Sequence, residues 1–275
     1  MRPSEWLIGV DSDGTAFDSM NIKHLDAFIP AALEIWPLDE KTAERFSEIE
    51  KHINLFSGTR GINRYPGLLA AWEELEKEAP EAEGLPDLTD LQAYVKAETR
   101  YSPATLKNWL AAHPSRELER VLAWSDRADE LFTRACEGLQ PYPGVREALA
   151  EAGKTAAVAV VSSAAKDGLE KDWTAGRLTP HVDFLMSQED GSKTAQLRKA
   201  MEQCGKNVRA LMLGDTDSDG ISAHEAGALF YPIMPGDEAA SWARFRTEIL
   251  PLFLAGRYDA DEEKKYYDQL KAMLG

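Results

Sequence analysis

The stretch IGVDSDGTAFDSM, residues 8 to 20, ends a hydrophobic run in two aspartates one residue apart and follows them at once with a glycine. Two readings fit such a stretch: a surface turn with solvated acids, or a site whose chemistry needs both carboxylates. The residues before it, Trp6 to Val10, form a short apolar run with β-branched members, the pattern of a strand buried on both faces. Ala156–Val161 and Ala210–Leu213 look the same, and Phe184–Met186 is a shorter apolar run. Helical periodicity lies between these runs. Val145, Leu149 and Ala152 share one face after the PYP turn, and Leu197, Ala200, Met201 and Cys204 recur at helical spacing within Thr194–Cys204. Strand alternating with helix predicts an α/β fold, a Rossmann-like parallel sheet flanked by helices.

The alternation stops after the first strand. From about 19 to 139 the chain shows helical periodicity and little strand pattern, as in LAAWEELEKEA and SRELERVLAWSDRADELFTRAC, with breaks at Pro80–Pro86 and Ser102–Pro103. The expected organisation is an α/β core of residues 1–18 and 140–275, with a helical tail from about 239, and an inserted mainly α-helical domain of residues 19–139. Trp36, Trp72, Trp109 and Trp124 in the insertion read as helix-packing residues.

Composition narrows the function. The chain has 275 residues, 44% hydrophobic and 28% charged, with 31 basic against 47 acidic residues and a net charge of -16. That balance disfavours nonspecific binding to nucleic acid or to an anionic membrane, so an anionic substrate has to meet local positive charge. Cys136 and Cys204 are the only cysteines and form no CxxC pair, which points away from a disulfide framework or a cysteine zinc site and towards a reducing cytoplasm. The N-terminus runs almost directly into the first strand, leaving no secretory apolar region, and no apolar run approaches the ~20 residues of a membrane span. No residue pattern specifies an oligomeric state.

In open parallel sheets, ligands sit beyond the carboxyl ends of the strands. There the first strand is followed by Asp11, Asp13 and Gly14, the second by Ser162 and Ser163, and the strand Ala210–Leu213 by Gly214, Asp215, Asp217 and Asp219. Lys193 opens a helix after the short run Phe184–Met186. In an extended chain residues i and i+2 share a face, so the spacing would deliver Asp11 and Asp13 to one pocket. Carboxylates converging on an anionic substrate would repel it by ~4 kcal/mol per close charge pair at an effective dielectric near 20, so such an assembly needs a divalent cation. Oxygen ligands alone point to Mg²⁺.

In this order DSDGT, VVSS, GSK and GDTDSD resemble the four motifs of the haloacid dehalogenase superfamily of phosphohydrolases. The resemblance covers about 5–18 and 140–235, and the helical insertion directly after the first motif is similar to the C1-type cap of that superfamily. The third motif departs from the pattern, since GSKT replaces the usual lysine–proline pair. The resemblance implies a Mg²⁺-dependent phosphatase acting on a small phosphorylated metabolite, with a sugar phosphate as one candidate. It makes Asp11 the nucleophile that forms an aspartyl-phosphate and Asp13 the acid/base. It places the metal on the Asp11 carboxylate, the Asp13 backbone carbonyl and Asp215, with Asp219 as a further ligand or an outer partner. It gives Ser162 and Lys193 the phosphoryl oxygens, and Gly14 a tight turn beside the substrate. Ser163 is the rival of Ser162, and Lys166 the rival of Lys193. Thr15 and Asp18 brace the turn, and Asp217 reads as a helix-capping or turn acid. The dehalogenase branch lacks the second aspartate, so Asp13 argues for phosphate esters.

Within the insertion, LFSGTRGINRYPG, residues 55 to 67, carries Arg60 and Arg64 and no acid. Contact of these arginines, with Asn63, to an anionic or polyhydroxyl leaving group is one expectation, and a solvent-facing loop with ordinary surface arginines is the other. A phosphomutase would differ only in the acceptor. A phosphonatase would need a cap lysine for a Schiff base, for which Lys23, Lys41 and Lys51 are available. A metal-binding or phosphoacceptor module without turnover would have no use for Asp13.

Overall fold

The computed structural model describes residues 4–275 and contains a five-stranded, wholly parallel sheet in the order β3-β2-β1-β4-β5. The strands are β1 (Trp6–Val10), β2 (Ala157–Val161), β3 (Phe184–Met186), β4 (Arg209–Gly214) and β5 (Leu229–Pro232). The fifth strand carries no clear sequence signal, because LFYP is short and ends in proline, which is tolerated only at a sheet edge.

The described residues up to Ser19 form one compact unit with Gly138–Gly275, and Met20–Glu137 form another. In the second unit α1 (Ser19–Asn21, whose first residue belongs to the core), a π-helical segment (Ile22–Phe28) and α2 (Ile29–Ile35) run on without a break. They are followed by α3 (Glu40–Leu55), α4 (Arg64–Glu78), α5 (Thr89–Ala97), α6 (Pro103–Ala112) and α7 (Arg116–Ala135). Local chemistry sets several starts: Asp39 and Asn63 cap α3 and α4, and Ser102 forms a capping box with Thr105 before the proline that opens α6. Trp36, Trp72 and Trp124 are buried in one apolar cluster with Phe46, Tyr65 and Leu75. Trp72 stacks on Phe46 with ring centroids 4.1 Å apart, as expected of packing residues.

The sheet divides the core into two apolar clusters by the two-residue period of its strands. Ile8, Val10, Val158, Val160, Leu211 and Leu213 face one side, against α8 (Val145–Ala152) and α9 (Lys166–Ala175). Leu7, Ala157, Ala159, Val161, Ala210 and Met212 face the other, against α10 (Lys193–Cys204) and α11 (Asp217–Ala226). The tail adds α12 (Glu238–Arg244), a second π-helical segment (Phe245–Ile249) and α13 (Leu250–Leu254) to the first side. It ends in α14 (Ala260–Leu274), whose Tyr267, Leu270 and Leu274 join the second side. Gly9 permits the close packing of α10: a Cβ there would stand 3.0 Å from both Leu197 Cδ1 and Met212 Sδ. That packing sets where Lys193, at the head of α10, comes to lie.

Candidate active site

Asp11 continues the ladder of β1 by donating its backbone N–H to the Leu213 carbonyl at 3.0 Å, and there the extended chain stops. Ser12 accepts from the N–H groups of Ala16 and Phe17, and Gly14 turns back with φ of 74° and donates to the Phe17 carbonyl. Only glycine adopts that conformation without strain. Asp13 therefore lies in a turn, and its direction is set by that turn, with Ser19 Oγ donating to its Oδ1 at 2.6 Å. The strand-alternation argument does not extend to it. Two tryptophans brace the turn: Trp173 Nε1 donates to Ser12 Oγ at 2.9 Å and Trp242 Nε1 to the Thr15 carbonyl at 2.8 Å. Asp18 accepts from the Tyr142 hydroxyl at 2.9 Å. None of these partners is predictable from spacing, since Trp173, Trp242 and Tyr142 come from distant parts of the chain.

Beyond the sheet, Asp11, Asp215 and Asp219 each bring a carboxylate oxygen within 4.8 Å of the others. All three are buried, at 4%, 0% and 0% exposure. Thr15 Oγ1 donates to Asp215 Oδ1 at 2.8 Å, which ties the first strand end to the fourth. Asp219 is held through both oxygens: Lys193 Nζ donates to Oδ1 at 2.6 Å, and Thr216 donates to Oδ2 in the capping box of α11. Thr216, not Asp217, is thus the cap. Asp217 accepts from the Tyr267 hydroxyl of α14 at 2.7 Å. Lys193 Nζ also lies 2.9 Å from Asp11 Oδ1, so one ammonium bridges two of the three acids.

Electrostatics follow from this arrangement. Burial pushes the Asp11 carboxyl well above the usual carboxylate range; Lys193 pulls it back, and Asp219 and Asp215 push it further up. Burial alone would lower the Lys193 ammonium, but the Asp11 and Asp219 carboxylates outweigh it and hold it well above an ordinary lysine. Burying three carboxylates this close together is costly, and Lys193 reaches two of them. Hard oxygen donors clustered in this way fit Mg²⁺.

At the end of β2 the adjacent serines part company. Ser162 is buried and its Oγ accepts from the Ala164 N–H at 3.1 Å, whereas the Ser163 residue is exposed. Lys166 is exposed and lies 3.8 Å from Glu170, whereas Lys193 joins the carboxylate cluster. Asp172 of α9 carries no motif that would single it out in the sequence: half-burial first, and then the charge of Asp13, raise its pKa.

In the helical unit, neither arginine of the 55–67 segment is an ordinary surface group. Arg60 is 5% exposed and its Nη1 donates to the Leu55 carbonyl at 2.7 Å. Arg64 opens α4, stands over the Phe28 ring at 5.0 Å and pairs with Asp129 at 2.8 Å.

A profile of the haloacid dehalogenase-like hydrolases matches residues 101–232, the span holding the second, third and fourth strand ends. Just under half of the chain thus matches the haloacid dehalogenase-like hydrolases. No curated protein sequence matches it significantly. Among solved structures, a superfamily hydrolase from Deinococcus radiodurans R1 is 16% identical, with 94% of this chain and 97% of that chain covered and a TM-score of 0.52. A predicted phosphoglycolate phosphatase from Haemophilus somnus 129pt is 18% identical, with 84% and 86% covered and a TM-score of 0.50. L-2-haloacid dehalogenase from Xanthobacter autotrophicus is 16% identical, with 96% and 88% covered and a TM-score of 0.40. The first two likenesses, at these identities, show a shared parallel-sheet fold and leave the reaction to the site.

The strand end before Asp215 gives a direct test of the carboxylate geometry. A Cβ at Gly214 would lie 2.5 Å from both Cβ and Cγ of Asp219. Gly214→Ala is expected to displace Asp219 from Lys193 and Thr216 and to cost about 1–3 kcal/mol. Thermal melts check this, and an unchanged Tm would show that Asp219 is not fixed against the strand.

Proposed function

We propose that this hydrolase cleaves phosphate monoesters of small phosphorylated metabolites, with Mg²⁺ as cofactor. The observation that carries the reading is the buried cluster of Asp11, Asp215 and Asp219 with Lys193 on Asp11, beside the turn that bears Asp13. The Deinococcus radiodurans hydrolase of the same fold holds phosphate and sodium, which is consistent with an oxyanion and a cation in such a site.

In this reading the Asp11 carboxylate oxygen not engaged by Lys193 attacks phosphorus, and the bond to the leaving oxygen breaks as Asp13 gives that oxygen its proton. Lys193 neutralises the nucleophile before attack, and the Ser162 hydroxyl, whose oxygen already accepts from Ala164, donates to a phosphoryl oxygen. Asp13, now ionised, takes a proton from water; the water oxygen bonds to phosphorus, and the bond to Asp11 breaks to release inorganic phosphate. Gly14 gives the backbone its close approach, and the exposed Ser163 adds its backbone N–H beside Ser162. Asp11, the Asp13 carbonyl and Asp215 would hold Mg²⁺, with Asp219 as the outer partner that orients Lys193. The ion would supply positive charge against the phosphoryl oxygens.

Arg60 and Arg64 are assigned to the leaving group on chemical grounds; Arg64 would have to exchange Asp129 for the substrate. Among the described residues no helix is long and apolar enough to cross a membrane. A cytoplasmic metabolite is the substrate this reading favours.

Phosphate release from a panel of phosphorylated metabolites, with and without Mg²⁺, tests the proposal. Metal-dependent release from at least one ester is expected, with the ion raising stability by about 2.7 kcal/mol at 100 times its Kd. Metal binding without release from any ester would overturn it.

A further inference from the structure

One buried side chain near the site has no place in the mechanism above. Gln196 of α10 is 0% exposed and lies one turn after Lys193. Its Oε1 accepts from the Ser162 N–H at 2.9 Å. Its Nε2 faces three carbonyls: Ser162 at 2.9 Å, Ser187 at 2.7 Å and Gly191 at 2.9 Å. A single amide thus spans the end of β2, the end of β3 and the loop that leads into Lys193. The assignment of oxygen and nitrogen is unambiguous, since the reversed amide would set its oxygen against three carbonyls.

We infer that Gln196 is the positioning residue that fixes Ser162 for phosphoryl-oxygen binding. The inference rests on the reading of Ser162 as a phosphate contact. Both backbone polar groups of Ser162 meet this amide, its N–H being shared with the Met186 carbonyl at 3.3 Å, so the residue cannot rotate without breaking the two buried bonds to Gln196. With the backbone fixed and Oγ accepting from Ala164, the hydroxyl proton is left as the group to offer a ligand. The same helix turn brings Lys193 to Asp11, so nucleophile, lysine and serine are held in one register. The loop after the Phe184–Met186 strand, already closed by the Ser187–Asp190 capping box, is tied to α10 by the same amide nitrogen through the Ser187 and Gly191 carbonyls. Glutamine suits this position because it has an acceptor and a double donor on a stem long enough to cross from helix to strand ends.

The test uses the full-length protein with Mg²⁺ and inorganic phosphate as the probe. Gln196→Glu retains shape and one acceptor but removes the donors; Gln196→Met removes both. Phosphate affinity by calorimetry, KM and kcat for a generic phosphate ester, Mg²⁺ affinity and Tm are compared with those of Ser162→Ala and of Gln196→Glu combined with Ser162→Ala. Gln196→Glu is expected to weaken phosphate binding by about tenfold or more and to raise KM, with Mg²⁺ affinity within about twofold of the parent. In the Ser162→Ala background the same change should add little, because there is no hydroxyl left to misplace. If Gln196→Glu, which sets an oxygen against the three carbonyls, does not fold, Gln196→Met and its combination with Ser162→Ala decide in its place. A lowered Tm with unchanged phosphate affinity and KM, or fully additive effects, would overturn the inference. An unmodified protein that neither binds phosphate nor releases it would overturn the functional reading itself, and this inference with it.

Discussion

Asp11→Asn is expected to abolish phosphate release, lowering kcat by about 10⁴-fold or more on every ester that the unmodified protein hydrolyses, as when other enzymes lose a nucleophile. The fold should survive. The replacement keeps an oxygen for Lys193 while removing a charge that burial, Asp219 and Asp215 all disfavour. In metal-free protein its Tm should therefore match or exceed that of the parent near neutral pH. The pH dependence has a definite sign. The folded-state pKa of Asp11 lies above its ordinary 3.8, so the folded protein holds that proton more tightly than the unfolded chain. Its contribution is fully present below about pH 3.8 and is lost as pH rises through the folded value. Lys193, raised above its ordinary 10.5, contributes a level amount over this range and fades only in strong alkali. The Tm advantage of Asp11→Asn should thus grow from about pH 4 towards neutrality in melts run with a chelator. A mutant that still turns over would remove Asp11 as the nucleophile. A constant Tm difference across this range would show that Asp11 is not a buried charge in the metal-free protein.

Lys193→Met is expected to have the largest effect on stability. It leaves Asp11 and Asp219 buried close together with no ammonium between them. Breaking a buried pair in this way costs about 3–5 kcal/mol. At about 2–4 °C per kcal/mol for a chain of this class, the metal-free Tm should fall by roughly 6–20 °C. Mg²⁺ should return part of that loss, because a divalent cation supplies positive charge to the same carboxylates, but it should not return activity. Lys166→Met is the matched comparison: Lys166 is exposed and pairs only loosely with Glu170, so neither Tm nor turnover should respond. Equal effects of the two substitutions would mean that Lys193 does not hold the carboxylate cluster together.

By itself the sequence determined the α/β class. Buried parallel strands are continuous apolar runs and amphipathic helices have a period near 3.6, and both signals are local, so Trp6–Val10, Ala157–Val161 and Arg209–Gly214 could be read directly. Leu229–Pro232 could not, being four residues at a sheet edge with a proline among them. The sequence also set carboxylates and a hydroxyl after successive strands, where the ends of a parallel sheet converge. Which of those groups face one another was decided only by tertiary structure. Asp11 and Asp219 share one ammonium because Gly9 lets α10 approach β1 and Gly214 lets Asp219 pack against β4. The burial of Ser162 rather than Ser163, and the pairing of Lys193 rather than Lys166 with Asp11, likewise depend on packing. Gln196, Trp173 and Trp242 left no mark in the sequence, because a glutamine inside a helix or a tryptophan in a core has many ordinary uses. Their roles arise from hydrogen bonds that reach across 34, 161 and 227 positions of chain, and no local pattern encodes contacts of that separation.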